Sequence, residues 1–351
     1  MSRTEFGSLL ASREWLLADG ATGTNLFAMG LESGEPPEFW TTERPDDIRA
    51  LHQGFVDAGS DIILTNTFGC NRHRLKLHGA EARVPELNEK AAAIACGVAE
   101  AADRPVVVAG SVGPTGEIFE PAGTLPYEEG VEAFAEQIAA LAEGGVDVIW
   151  IETMSAEEEV RAAVEAARRV APGLPVVATM SFDTAGRTMM GVTPARCVEL
   201  GRELGLDGVG SNCGTGAPDL LAGILEMTAA DPEFVVVAKA NAGVPEFVDG
   251  EIHYSGTVEM AGTYARMALD SGARIIGGCC GNTFEHVKAM HDALAGYGGG
   301  PRPTVEEIVE RLGPLTQGGR QGGCGHGCSH GSGDGEEGGG GRSRRRRRRR
   351  G

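Results

Sequence analysis

The sequence predicts an α/β fold, a (β/α)8 TIM barrel with a disordered Gly/Arg-rich C-terminal tail, and three observations carry that prediction. Apolar runs of strand length recur eight times, each followed by a segment with helical spacing. The runs are apolar almost throughout, as parallel strands buried on both faces require, whereas half-exposed strands alternate. Glycine-rich or polar turns follow the runs, where a parallel barrel gathers its chemistry.

In chain order the expected strands are Trp15–Asp19, Asp61–Phe68, Pro105–Gly110, Val146–Glu152, Pro175–Ser181, Gly208–Cys213, Phe234–Asn241 and Ala273–Cys279. The helices expected between and after them are Pro45–Ala58, Val84–Ala101, Tyr127–Gly144, Ala156–Val170, Thr193–Gly205, Ala217–Ala230, Thr257–Gly272 and Thr283–Gly296. A doubly wound open sheet is the competing architecture. It would show fewer repeats and a phosphate-binding glycine fingerprint after the first strand, and Asp19-Gly-Ala-Thr-Gly-Thr24 is not that fingerprint.

The chain divides near residue 316. Residues 1–316 form the expected barrel, and residues 317–351 hold 14 glycines and the run Arg344–Arg350, with almost nothing apolar to bury. This tail carries nine arginines against Asp334, Glu336 and Glu337, a surplus of 6 positive charges. The formal net charge of −19 therefore leaves −25 on residues 1–316. Such an acidic body disfavours nucleic acid as its main partner. No apolar stretch reaches the roughly 18–20 residues that cross a membrane, and the N-terminus has no export-type apolar core. A cytoplasmic location is expected. In that reducing setting eight cysteines point to metal or catalytic use before a disulfide framework.

Three of those cysteines fall at strand ends: Cys213 after the sixth strand, and Cys279 with Cys280 after the eighth. Thiolate is a preferred zinc ligand, and two strands apart on a closed ring is close enough to share one ion. Adjacent residues on a regular strand point to opposite faces, so Cys279 and Cys280 can share it only if the strand breaks. Gly277, Gly278 and Gly281 permit the break. Three protein ligands leave one tetrahedral position for a substrate, and a thiol entering it would lose its proton. The alternative is three inert buried cysteines. The rim carboxylates Asp19 and Glu152 suit a substrate ammonium group, and backbone amides of the Asp19–Thr24 turn suit a carboxylate. Against that, either acid could serve as a helix cap or loop anchor. Together these features describe a pocket for an amino acid bearing a thiol.

Asp19-Gly-Ala-Thr-Gly-Thr24, Thr65-Asn-Thr-Phe68, Gly113-Pro114, Ile151-Glu-Thr153, Asn212-Cys213, Asn241-Ala-Gly243 and Gly277-Gly-Cys-Cys-Gly281 resemble the homocysteine S-methyltransferase family over roughly residues 10–296. That family includes betaine–homocysteine methyltransferases and the homocysteine domain of cobalamin-dependent methionine synthase. The resemblance implies Zn2+ held by Cys213, Cys279 and Cys280. It also implies homocysteine gripped by Glu152 and by the turn with Asp19, Ala21 and Thr22, and methionine as product.

The donor is expected to be betaine, by analogy with stand-alone bacterial members of this length. A quaternary ammonium group is usually held by aromatic faces. The positions corresponding to the cage of the animal enzymes are Pro36, Gly69 and Thr153, none aromatic, so Phe39, Trp40, Phe68 and Tyr127 are the candidates for a replacement cage. The alternatives are S-methylmethionine as donor, or one half of a split methionine synthase that meets a separate corrinoid protein and uses methylcobalamin or methylfolate. From other classes come a zinc-binding regulatory barrel and an aldolase-type barrel, the latter with Lys239 as its rim lysine. In the tail, Cys324-Gly-His-Gly-Cys328-Ser-His330 has metal-binding composition, against the simpler reading of a solvated linker.

Overall fold

A computed structural model of the chain describes residues 5–183, 185–243, 245–248 and 251–316. The expected tail, with its Cys324–His330 cluster and arginine run, lies outside the described residues. Eight parallel strands make the central sheet: β1 (Leu16–Leu17), β2 (Ile62–Leu64), β3 (Val107–Val112), β4 (Val148–Met154), β5 (Val176–Met180), β6 (Gly208–Cys213) and β7 (Val236–Ala240), and last β10 (Ile275–Gly278). An antiparallel hairpin, β8 (Pro245–Val248) with β9 (Glu251–Tyr254), is inserted before the final strand. The strand order is β1-β10-β7-β6-β5-β4-β3-β2, and a parallel bridge from Ala18 to Ile62 joins its two ends. The TIM barrel expected from the sequence is the fold observed.

The uninterrupted apolar runs have a physical reason visible in the two faces of each strand. Leu16, Ala18, Ile62, Leu64, Val107, Ala109, Val148 and Trp150 pack together inside the barrel. Leu17, Ile63, Val108 and Ile149, one position away along the same strands, pack outward against the helices. Both faces are dry, so the two-residue period shows no polar alternation.

Each expected helix appears with ends within two residues of the sequence reading, because local chemistry marks them. Proline opens Pro45–Asp57 and Pro194–Leu204, where its missing N–H costs nothing. Thr193 and Thr257 cap their helices by accepting from the N–H groups of Arg196 and Met260. The sequence reading did not include the helix Phe6–Ser12, too short to show a helical period. Its Phe6 and Leu9 join the interior cluster with Leu16 and Ile62. Also outside the eightfold pattern are the helices Gly23–Ala28 and Val305–Leu312 and the β8–β9 hairpin. No helix among the described residues is long and apolar enough to cross a membrane.

Candidate active site

All strands run the same way, so their carboxyl ends share one rim, and there a cavity of about 650 Å3 opens. That volume falls in the range of small-molecule sites, roughly 300–1,000 Å3. Every site residue singled out in the sequence lines it: Asp19, Ala21, Thr22, Glu152, Cys213, Cys279 and Cys280.

The sulfur atoms of Cys213, Cys279 and Cys280 lie within 4.8 Å of one another, and all three are free thiols. A tetrahedral zinc with bonds of about 2.3 Å holds its sulfurs about 3.8 Å apart, so the cluster fits a single ion with little adjustment. The strand break that this requires is present. Strand β10 ends at Gly278, and Gly281 takes a left-handed φ of +79°. On β6, Cys213, the last residue of the strand, itself sits at φ +62°, uncommon for a residue with a side chain. Asn241 Nδ2 lies 3.6 Å from the Cys213 sulfur, and Asn212 Nδ2 lies 3.8 Å from that of Cys279. Tyr254, at the end of β9, directs its hydroxyl to Cys280.

The thiols cannot all ionise unaided. Hydrogen bonds from Cys279 and then Cys280 hold Cys213 well below the ordinary thiol range, while Cys279 is pushed well above it by its bonds to Cys213 and Cys280. A thiolate at one position thus opposes the next. A cation is what would let all three carry charge, and the donor set of three sulfurs suits zinc.

The two carboxylates are placed differently. Asp19 is buried, its Oδ1 2.6 Å from Lys239 Nζ and its Oδ2 accepting from Leu64 N–H at 2.7 Å. Burial raises its pKa, and the Lys239 charge and the Leu64 amide pull against that rise. Both its oxygens are therefore engaged within the protein. Ala21 N–H is engaged as well, donating to Asn282 O at 3.2 Å. Glu152 follows Ile151, the last regularly paired residue of β4, and lies where the register with β5 shifts between Ile151 and Met154. Among the described residues its hydrogen-bond partner is the Ser111 hydroxyl, which donates to Oε1. Burial pushes the Glu152 carboxyl up to about 7 against the lowering effects of Lys239 and Ser111, with smaller contributions upward from Asp19 and Cys213.

Lys239 was legible in the sequence only as a lysine near the end of the seventh strand. Inside the barrel it lines the cavity and spends its charge on Asp19, bonding its carbonyl oxygen at 3.2 Å as well as its carboxylate. An ammonium so engaged is not a free Schiff-base amine. Ser111 and the Asn212–Thr153 pairing were not singled out as site residues, because short polar side chains in a strand carry no periodic signal, and Tyr254 lies on the inserted hairpin, outside the eightfold repeat.

The structure does not assemble the expected aromatic cage. Trp40 is buried, with the Arg44 guanidinium 3.6 Å from its ring centroid. Phe39 faces Arg83 at 5.1 Å, and Tyr127 donates to Glu165 on the outer surface. Only Phe68 of the four lines the cavity, joined by Phe27 and Tyr254, neither of which was expected there from the sequence.

Comparison with known proteins agrees with this geometry. The family model described as Homocysteine S-methyltransferase matches residues 16–294. Methionine synthase of Mycobacterium tuberculosis is 31% identical over 300 residues, 81% of this chain and 25% of that protein. Methionine synthase of Mycobacterium leprae is 29% identical over 322 residues, 87% and 26% respectively. The chain thus spans about a quarter of the length of these curated relatives. Among solved structures, the metallated form of the homocysteine methyltransferase MmuM from Escherichia coli superposes with a TM-score of 0.69. It is 22% identical and covers 81% of this chain and 98% of its own. The oxidized form gives 0.64 at 24% identity, covering 83% and 99%. These two likenesses concern the fold.

Proposed function

The chain belongs to the homocysteine S-methyltransferase family, and on that premise we propose that it transfers a methyl group to the sulfur of homocysteine, forming methionine. The observation that carries this reading is the convergence of three free cysteine sulfurs within 4.8 Å at the wall of the same cavity as Glu152. Cys213, Cys279 and Cys280 would hold zinc. When bound, zinc stabilises the deprotonated form of a substrate thiol near neutral pH, where a free thiol is mostly protonated.

The residues of the chain supply position. Glu152 takes the substrate ammonium, since Ser111 engages only one of its oxygens whereas both oxygens of Asp19 are already bonded. Asp19, Ala21 and Thr22 form the wall of the homocysteine subsite, Asp19 being fixed there by Lys239 instead of meeting the ammonium itself. The amides of Asn212 and Asn241 donate to the sulfurs and fix their directions, as groups around a metal's ligands do. The thiol proton leaves, the homocysteine sulfur forms a bond to the methyl carbon, and the carbon's bond to the donor breaks with its electron pair. Alignment of the two reactants is the protein's main contribution.

Betaine, the donor expected from sequence, would meet Phe27, Phe68 and Tyr254 in this cavity, the last already directed to Cys280, in place of the cage expected from Phe39, Trp40, Phe68 and Tyr127. A second reading is favoured by the two methionine synthases: the chain corresponds to one quarter of a longer enzyme and would receive the methyl group from a separate corrinoid protein. The test is methionine formation by the purified protein with homocysteine and, in turn, betaine, S-methylmethionine, methylfolate and methylcobalamin. One productive donor is expected. Zinc-loaded protein that makes no methionine from any of the four would overturn the function.

A further inference from the structure

A single buried amide connects the two halves of the candidate site. Asn212, on β6, is fully buried and makes four hydrogen bonds, three to strands β4 and β5 and one to Cys279 just past the end of β10. Its Oδ1 accepts from Thr153 N–H at 2.9 Å and from the Thr179 hydroxyl at 2.7 Å. Its Nδ2 donates to Thr153 Oγ1 at 2.7 Å and points to the Cys279 sulfur at 3.8 Å. An asparagine side chain offers two donors and two acceptor lone pairs, so this amide is saturated.

The segment it grips is strained. Thr153 has φ +63°, a conformation a β-branched residue adopts only when its surroundings impose it. It lies in the register shift of β4, immediately after Glu152. Bulges of this kind re-aim a neighbouring side chain, and the Asn212 amide bonds both the backbone and the side chain of the strained residue. Immediately after Asn212 comes Cys213, itself at φ +62°. One side chain thus fixes the direction of Glu152 through Thr153 and touches the sulfur cluster through Cys279, while its own backbone leads into Cys213.

We propose that Asn212 is a positioning residue that sets the distance between the carboxylate receiving the homocysteine ammonium and the sulfurs receiving the metal. The two ends of one small substrate must be met at once, and Asn212 ties their partners together. This inference rests on the function proposed above. Asn241 provides the internal comparison, because its amide reaches a sulfur, that of Cys213, and the Gly214 carbonyl, without touching Thr153.

The experiment measures zinc affinity by chelator competition, homocysteine affinity by calorimetry on the zinc-loaded protein, and the melting temperature. The proteins compared are the full-length wild type and the Asn212→Asp, Asn241→Ala and Thr153→Ala variants. Asn212→Asp keeps the shape and removes both N–H donors. It is expected to weaken zinc by about 10–100-fold, the usual effect of losing a group that orients a metal ligand, and to weaken homocysteine by about 10-fold even at saturating zinc. Asn241→Ala should weaken zinc alone, and Thr153→Ala homocysteine alone. The proposal is overturned if Asn212→Asp lowers the melting temperature while both affinities stay at wild-type values. It is overturned equally if Asn241→Ala weakens homocysteine as much as Asn212→Asp does, since the effect would then pass through the metal. Should Asn212→Asp fail to fold, Thr153→Ala decides, and unchanged homocysteine affinity there refutes the link. A wild type that binds zinc but no homocysteine would count against the proposed function, and the Asn212 contact with Cys279 would still be judged by the zinc measurement.

Discussion

Lys239 Nζ and Asp19 Oδ1 are 2.6 Å apart, and each side chain is only 2% exposed. This ion pair crosses the barrel rim from β7 to the turn after β1 and anchors a segment that lines the cavity. A buried pair of this kind need not add net stability, but leaving one partner behind is costly. Lys239→Met is expected to destabilise the fold by about 3–5 kcal/mol, because Asp19 is left buried without its counter-charge. The double variant Asp19→Asn with Lys239→Met should recover a large part of that loss. Urea unfolding of the three proteins checks it, and additive losses would contradict the pairing.

The ionisation of Glu152 makes stability depend on pH. Its carboxyl is raised to about 7 in the fold, from an ordinary 4.5, chiefly by burial. The unfolded chain therefore gives up this proton first as pH rises. Below about 4.5 both states are protonated and the group is neutral toward folding, and between 4.5 and 7 ionisation increasingly favours the unfolded chain. Above 7 the full penalty applies, on the order of 3 kcal/mol. In metal-free protein, Glu152→Gln should accordingly gain stability relative to wild type as pH rises from 5 to 8. A gain that shrinks over that interval would show that the carboxyl is not raised.

The same residue should matter for substrate and not for metal. Glu152→Ala is expected to raise KM for homocysteine by at least 10-fold, as removal of a buried charged partner does, while zinc content stays at the wild-type level. Steady-state kinetics and metal analysis of one preparation test both halves.

Replacing Cys213, Cys279 or Cys280 by alanine should each remove one equivalent of tightly bound zinc per chain and abolish methionine formation. Cys96→Ala, away from the cavity, serves as the control. Full zinc content in any one of the three variants would remove that residue from the ligand set.

Gly281 is constrained twice over. Its φ of +79° disfavours any side chain, and a Cβ there would lie 2.4 Å from Tyr254 Cγ. Gly281→Ala is expected to cost about 1–3 kcal/mol of stability. It should also loosen zinc, because the break that turns Cys280 toward Cys213 depends on this turn. Thermal unfolding and chelator competition report the two effects separately.

The fold was legible because a barrel repeats one simple unit: strands buried on both faces read as apolar runs, and caps and prolines mark the helix ends. The short helix Phe6–Ser12 was not, since its packing against Leu16 and Ile62 supplies what seven residues cannot show as a period. The cysteine triad was legible because thiols at strand ends, flanked by glycine, have few other uses.

What the sequence determined by itself was the set of groups gathered at one rim, since the direction of parallel strands places every carboxyl end together. Only the tertiary structure decided how those groups divide their work. Asp19 and Glu152 look equivalent along the chain, yet Lys239 and the Leu64 amide engage both oxygens of the first, while Ser111 engages one oxygen of the second. Hydrogen bonds in a dry interior join residues more than 200 positions apart, and no local pattern encodes them. For the same reason Trp40, a ring that could have faced a cationic donor, already lies beneath Arg44.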